Sequence, residues 1–378
     1  MKYFLSESCA LKRLETPSVY NISTDELYEL DEAAFEFLKK CAGKEGSDGE
    51  KCDREFLDYA MNAGIISEKQ SGVRRPPLVK APAPSLRYLE LQITRACNLR
   101  CRHCYIGPPD TLELSLEKIR KTLDEFLEMQ GLRLLITGGE PLLHREFGKF
   151  NGLLHGYAFR KILFTNGLLL TRGILKALNV DEIQVSIDGL EQGHEALRGK
   201  GTFRKTMDAI RMALDSGFAV SISTMVHSAN LYEFGGMERL FREMGIREWT
   251  VDSPCFEGNL RDNPAFQLSP EIAGKYLRYG FGEGLHDGGD GFGCGLHLAS
   301  IMADGMVAKC SFYSDVPAGN VDEGLALCWS RIPPVRLNEL KCDCEFIDIC
   351  RGGCRFRAGL LGDVYGKDLY RCFAILKP

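Results

Sequence analysis

The stretch Cys97-Asn-Leu-Arg-Cys101-Arg-His-Cys104-Tyr105, at the end of the strand-like run Tyr88–Thr94, constrains this 378-residue chain more than any other. Three thiols separated by three and then two residues on a short loop can all turn inward. Such a loop can hold three irons of a cubane cluster and leave the fourth without a protein ligand, which makes that iron a place for chemistry. The alternative is zinc with His103 as the fourth ligand, although structural zinc sites usually combine two separated ligand pairs.

The cysteine distribution agrees with metal binding. Of fifteen cysteines, three lie in the first 52 residues, three in the central loop and eight between Cys294 and Cys372, with Cys255 alone between. Clusters of this kind in a long chain without a signal-peptide core point to metal rather than cystines, and to a cytoplasmic protein. A net charge of −5 gives no reason to expect a nucleic-acid partner, and no apolar run reaches the length of a membrane span.

Residues 1–70 read as a small α+β unit. Tyr3–Leu5 and Ser18–Ile22 are strand-like, and Thr24 or Asp25 is placed to cap a helix on which Leu30, Ala33, Ala34, Phe37, Leu38 and Cys41 recur. A second helix buries Phe56, Leu57 and Ala60 and ends at Gly64, and Ile65-Ile66 begins a returning strand. The order is that of a winged helix. It resembles the peptide-recognition element of ribosomal-peptide maturation systems, the fold of the small chaperone of pyrroloquinoline-quinone synthesis, in which an extended leader peptide adds a strand to a sheet edge. A packing appendage and a DNA-binding winged helix are the other readings; nine basic against fifteen acidic residues argue against DNA. Cys9, Cys41 and Cys52 read as small buried hydrophobes. Residues 71–86, with four prolines between Ser71 and Ser85, read as an extended linker.

From residue 87 to 285 the pattern alternates. Strands are expected at Tyr88–Thr94, Leu132–Thr137, Lys161–Thr165, Glu182–Ile187, Ala219–Met225 and Arg247–Asp252, with helices between them, among them Ser115–Gln130, Thr202–Ser216 and Leu231–Met244. This predicts an α/β domain of parallel units, and six units are too few to close an eight-stranded barrel. A partial (β/α)6 TIM barrel follows, with chemistry at the C-terminal ends of the strands. There lie Gly138-Gly139-Glu140-Pro141, whose glycines let backbone approach a ligand and whose carboxylate can accept from an ammonium, the turn Thr165-Asn166-Gly167, and Ser186-Ile-Asp188, two oxygen side chains on one strand face suited to ribose hydroxyls.

The cysteine loop, its aromatic Tyr105 and these strand-end motifs resemble the radical S-adenosylmethionine (SAM) enzymes over about the last three quarters of the chain. The resemblance implies one [4Fe–4S] cluster on Cys97, Cys101 and Cys104. It implies SAM held at its amino group by Gly138, Gly139 and Glu140, at its ribose by Ser186 and Asp188, and at its carboxylate by Arg198, for which a solvated surface arginine is the alternative. Asn166 belongs to the same set, and Tyr105 and the strand Ile222–Val226 would flank the adenine.

Residues 286–378 carry Cys294, Gly305 and Cys310, then Cys342-Asp-Cys344, Cys350, Cys354 and Cys372. This resembles the SPASM extension that holds auxiliary [4Fe–4S] clusters in peptide-modifying radical SAM enzymes; a zinc ribbon is the alternative. Family pairing places Cys294, Cys310 and Cys354 on a nearer cluster and Cys342, Cys344, Cys350 and Cys372 on an outer one. The sequence departs from the family in the single residue between Cys342 and Cys344 and in lacking a cysteine just before Cys294. One iron is therefore left open or taken by His286, Asp287 or Asp290. Cys328 reads as structural, and Cys255 as packing or a catalytic thiol.

The implied activity is reductive cleavage of SAM to a 5′-deoxyadenosyl radical that abstracts a substrate hydrogen, with ferredoxin or flavodoxin as electron donor. A peptide or protein substrate is the first expectation. A small-molecule enzyme like those of the haem and tungstopterin pathways is the second, and a non-enzymatic iron–sulfur protein, which the SAM-contact motifs oppose, is the third.

Overall fold

The computed structural model describes residues 2–49, 52–70, 78–282, 284, 289 and 291–375. The N-terminal unit holds β1 (Phe4–Leu5), β2 (Cys9–Arg13), β3 (Pro17–Asn21), β4 (Glu26–Glu29), α1 (Glu32–Cys41), α2 (Arg54–Asn62) and β5 (Ile66–Ser67). β5 returns antiparallel to β1, as expected, and β2-β3-β4 form a separate antiparallel sheet. Cys9 and Cys41 are buried in the unit's own apolar core, with Cys52 packed against it.

The helix start differs from the expectation. α1 is capped by Asp31, whose side chain accepts from Ala34 N at 2.7 Å, and the residues just before it form β4. Asp25 instead occupies the β3–β4 turn with φ 72° and is 5% exposed. Its carboxylate accepts from Tyr20 and Arg133 and lies within ion-pair reach of Arg160 and Arg247. Those arginines stand at or just before the N-terminal ends of barrel strands, more than a hundred residues away in sequence. No local pattern could announce such partners.

The second half of the expected linker is packed rather than extended. Ala81 and Leu86 are buried, Ser85 donates to Glu15 through both its amide and its hydroxyl, and the Trp329 indole donates to Pro84 O at 2.7 Å. Residues 71–77 lie outside the described residues.

The main body is an α/β partial barrel. Strands β6 (Tyr88–Gln92), β7 (Arg133–Thr137), β8 (Arg160–Thr165), β9 (Glu182–Ser186), β10 (Ala219–Met225) and β11 (Glu248–Asp252) pair in parallel and in sequence order, close to where periodicity put them. Between and after them run α3 (Leu116–Glu128), α4 (Phe147–Leu154), α5 (Arg172–Ala177), α6 (Glu191–Arg198), α7 (Thr202–Asp215), α8 (Phe234–Glu243) and α9 (Pro270–Tyr276). Three further strands extend this sheet beyond the six expected. β12 (Leu298–Ile301), from the cysteine-rich region, lies parallel to β6, and β13 (Met306–Ala308) and β14 (Gly319–Asn320) continue the sheet antiparallel. The remaining helices are α10 (Leu325–Ser330), α11 (Ile347–Cys350), α12 (Arg355–Leu360) and α13 (Leu369–Ile375). Among the described residues, no helix is long and apolar enough to cross a membrane.

Parallel sheets are usually apolar on both faces. Here the inner face is apolar on β7 and β8, through Leu135, Ile162 and Phe164, and polar on β6, β9 and β10. Leu89, Leu91, Ile183, Val185, Val220 and Ile222 are fully buried in the main core, whereas the alternate positions are Glu90, Gln92, Gln184, Ser186, Ser221 and Ser223. That partly polar inner face lines a cleft.

Candidate active site

The cleft, about 340 Å³, opens at the C-terminal strand ends. Cys97, Cys101, Cys104, Tyr105, Gly138, Gly139, Asn166, Ser186 and Arg198 all line it. Glu140 and Asp188 do not, and each has another occupation.

The two glycines are required by close packing. Gly139 N donates to Thr94 O and Glu140 N to Ala96 O, both at 2.8 Å. A Cβ at Gly138 would sit 2.4 Å from Thr94 O, and one at Gly139 2.4 Å from Ala96 O. This segment therefore braces the base of the cysteine loop. The Glu140 carboxylate, fully buried, accepts from the Thr165 hydroxyl at 2.8 Å and from Asn166 N at 2.9 Å. It ties two strand ends together instead of facing the cleft. Burial pushes its carboxyl up to about 7 against the pull of those donors. Asn166 in turn donates to Asn98 at 2.7 Å, inside the cysteine loop.

Asp188 is fully buried two residues beyond Ser186. Its carboxylate meets Arg198 Nε at 2.5 Å and accepts from Met225 N at 2.7 Å. Burial alone would raise its pKa, but the Arg198 charge, His103 and the Met225 amide outweigh that and hold it well below the usual carboxylate range. Arg198 is thus no solvated surface arginine. At the C-terminal end of α6, where a cation complements the helix dipole, it reaches 3.8 Å from Cys101 Sγ. Ser186 alone of the Ser186–Asp188 pair faces the cleft. His103 Nε2 lies 3.9 Å from Asp188, and burial pulls its pKa down to about 4.

Residues beyond the sequence motifs complete the site. Asn259, after β11, donates to the cysteine loop twice, from its side-chain amide to Cys101 O and from its backbone N–H to Cys104 O, both at 2.9 Å. Glu90 reaches the cleft from β6 and accepts from Ser300 of β12 at 2.6 Å, with burial raising its carboxyl. The Tyr105 ring lies 4.8 Å from that of Phe312, two residues after Cys310, so the cysteine-rich region forms one wall. The polar alternation of β6, β9 and β10 was the signal for Glu90, Gln184 and Ser223; Asn259 had none.

The donor set fits an iron–sulfur cluster. Three free thiols share one cleft, and N–H groups are aimed at sulfur: Leu99 N is 3.5 Å from Cys97 Sγ, beside the Arg198 contact to Cys101. Burial pushes Cys101 up to about 11, with Arg198 opposing, so a cationic metal centre is what would keep the thiolates charged.

The remaining cysteines form two groups. Cys310 feels the charge of Cys294 and Cys354, and Cys354 that of Cys294. Cys342, Cys344, Cys350 and Cys372 line a cavity of about 190 Å³ walled by Phe346, Leu369 and Phe373, so the single intervening residue after Cys342 does not part them. His286, Asp287 and Asp290 lie outside the described residues. Cys328 is fully buried in the main core. Cys255 is buried beside Arg357 and Tyr370, and burial raises its thiol strongly.

Residues 91–237 match the model of the Radical SAM superfamily. The AdoMet-dependent heme synthase of Oleidesulfovibrio alaskensis is 26% identical over 334 residues, covering 75% of this chain and 86% of that protein. The mycofactocin maturase MftC of Mycolicibacterium smegmatis is 28% identical over 317 residues, covering 72% and 79%. In fold, the chain is similar to Streptococcus suis SuiB bound to the precursor peptide SuiA, with TM-score 0.70 and 14% identity, over 98% of this chain and 99% of that one.

Proposed function

The chain carries a radical SAM domain, and from that premise we propose that it modifies a peptide or protein, as a maturase of ribosomally made peptides. Cys97, Cys101 and Cys104 would hold a [4Fe–4S] cluster, with SAM beside it against Gly138, Gly139, Asn166, Ser186, Tyr105 and Arg198. The chemistry these groups supply when bound is a 5′-deoxyadenosyl radical for hydrogen abstraction. The chain's own part is to orient and to exclude water. Asp188 fixes Arg198 against Cys101, Glu140 locks two strand ends, and Asn259 clamps the cysteine loop. Cys294, Cys310 and Cys354, and the four thiols around the outer cavity, would hold auxiliary clusters. A ferredoxin or flavodoxin would supply the electron. Residues 1–70 would receive the leader, residues 87–285 carry the chemistry and residues 286–378 the auxiliary centres.

The observation that carries a peptide substrate is the N-terminal unit. β4 stands at the edge of its sheet, with no partner on its outer side among the described residues. Beside it Tyr28 of β4 and Tyr59 of α2 pack edge to face at 6.2 Å, and Tyr59 is 53% exposed. An open edge flanked by aromatic surface is what an extended segment needs to add a strand. The heme synthase likeness favours a second reading, a small-molecule substrate.

The anaerobically reconstituted full chain should bind a leader segment of a peptide encoded beside its gene and, with SAM and reductant, form 5′-deoxyadenosine in step with a mass change in that peptide. Deoxyadenosine released with a porphyrin product and no change in any such peptide would overturn the peptide reading in favour of the second.

A further inference from the structure

Arg355 follows Cys354 at the start of α12 and is 1% exposed. Nη1 is satisfied, donating to Val364 O at 3.0 Å and Gly366 O at 2.8 Å. Nε and Nη2 are buried and meet no acceptor. No carboxylate lies within ion-pair distance of it among the described residues. Arginine cannot shed its proton to escape this. A buried, permanently charged fork with unspent donors implies an acceptor that protein atoms do not provide.

Its surroundings identify the chemistry. Nη2 lies 3.5 Å from where a Cβ on Gly352 would stand, and Gly352 N itself points at Cys350 Sγ at 3.2 Å. That side belongs to the outer thiol group, whose Cys342 feels the Arg355 charge. On the other side Lys309 feels the same charge while it lies among Cys294, Cys310 and Cys354. Arg357, two residues on and also buried, makes the contrast: it is neutralised by Asp252 and Asp368. Asp363 feels the Arg355 charge without touching it, and its carboxylate is taken up by Lys341 at 2.7 Å.

We propose that Arg355 is a positioning residue for the auxiliary centres, offering the unspent N–H groups of Nε and Nη2 and a fixed positive charge to their sulfur atoms. The inference rests on the reading that these thiols hold iron–sulfur clusters. Hydrogen bonds to cluster sulfurs and a nearby cation favour the more negative, reduced state, so Arg355 raises the reduction potential of the auxiliary centres. At the centre on Cys97, Cys101 and Cys104 the corresponding contact is made by Arg198.

Iron and acid-labile sulfide in the anaerobically reconstituted full chain test the underlying reading first: zinc, or iron without sulfide, at the C-terminal thiols ends both. With clusters present, Arg355→Lys and Arg355→Gln are titrated by EPR-monitored redox potentiometry. The auxiliary midpoint potentials should fall, further for Gln than for Lys, with the SAM-site potential unmoved. Auxiliary potentials equal to those of the parent chain overturn the proposal while leaving the clusters standing. Should either variant not fold, the parent protein carrying arginine labelled with ¹⁵N only at the guanidinium decides by pulsed EPR, because the Arg357 amide bonded to Cys354 then bears no label. A ¹⁵N coupling on the reduced auxiliary signal is expected, and its absence overturns the assignment.

Discussion

Burial is the largest influence on Glu140, and the proton it retains has a thermodynamic consequence. The folded carboxyl titrates near 7 against 4.5 for an ordinary glutamate. Between those values the native chain holds a proton that the unfolded chain has released, so stability is fullest below pH 4.5 and falls as pH rises to 7. At 1.36 kcal/mol per unit the loss is about 3 kcal/mol. Glu140→Gln should remove this dependence: in urea denaturation of the metal-free protein, the parent should lose about 2–3 kcal/mol more than the variant between pH 5 and pH 8. Parallel pH profiles would show that the carboxyl is ionised throughout. The motif around Glu140 was legible as a site, but the role of this side chain was not. A local spacing names the residues at a strand end; whether a carboxylate turns to the cleft or to the next strand is set by Thr165 and Asn166, a whole β/α unit further on.

At the scale of elements the same division holds. The six parallel strands were legible because each has apolar residues on the helix-facing side, and Ser115 announces α3 by accepting from Lys118 N. β12 was not, because four short residues join the sheet only through pairing with β6, some 210 positions earlier. Nor was the β3–β4 turn, whose Asp25 plugs the floor of the barrel opposite the cleft. Removing one member of a buried ion-pair cluster strands the others without a counter-charge. Asp25→Ala should therefore cost about 3–5 kcal/mol, read from chemical denaturation, and Asp25→Asn nearly as much. The N-terminal unit is accordingly part of the barrel's stability whatever else it binds. Truncation before residue 78 should yield chain that aggregates or unfolds, and a stable, SAM-cleaving truncate would refute this account of the interface.

Across the whole molecule ten of the fifteen cysteines fall into three groups. Three line the cleft, three more include Cys310, two residues before the Phe312 that touches Tyr105, and four surround the outer cavity between α11 and α13. A line of centres from outside to cleft would let electrons reach or leave the substrate without exposing the cleft to water, which a radical reaction requires. If each group holds one cubane, the intact chain carries about twelve irons. Cys350→Ala combined with Cys372→Ala removes two of the four outer thiols and should lower that by about four, leaving the SAM-dependent EPR signal and the slow cleavage of SAM without substrate in place. Substrate turnover should fall, because the outer centre is then missing from the electron path. An unchanged iron count would mean that the outer thiols are structural, and loss of all iron would mean that α13, which packs on α9 of the barrel, is needed for the fold before any cluster is needed for chemistry.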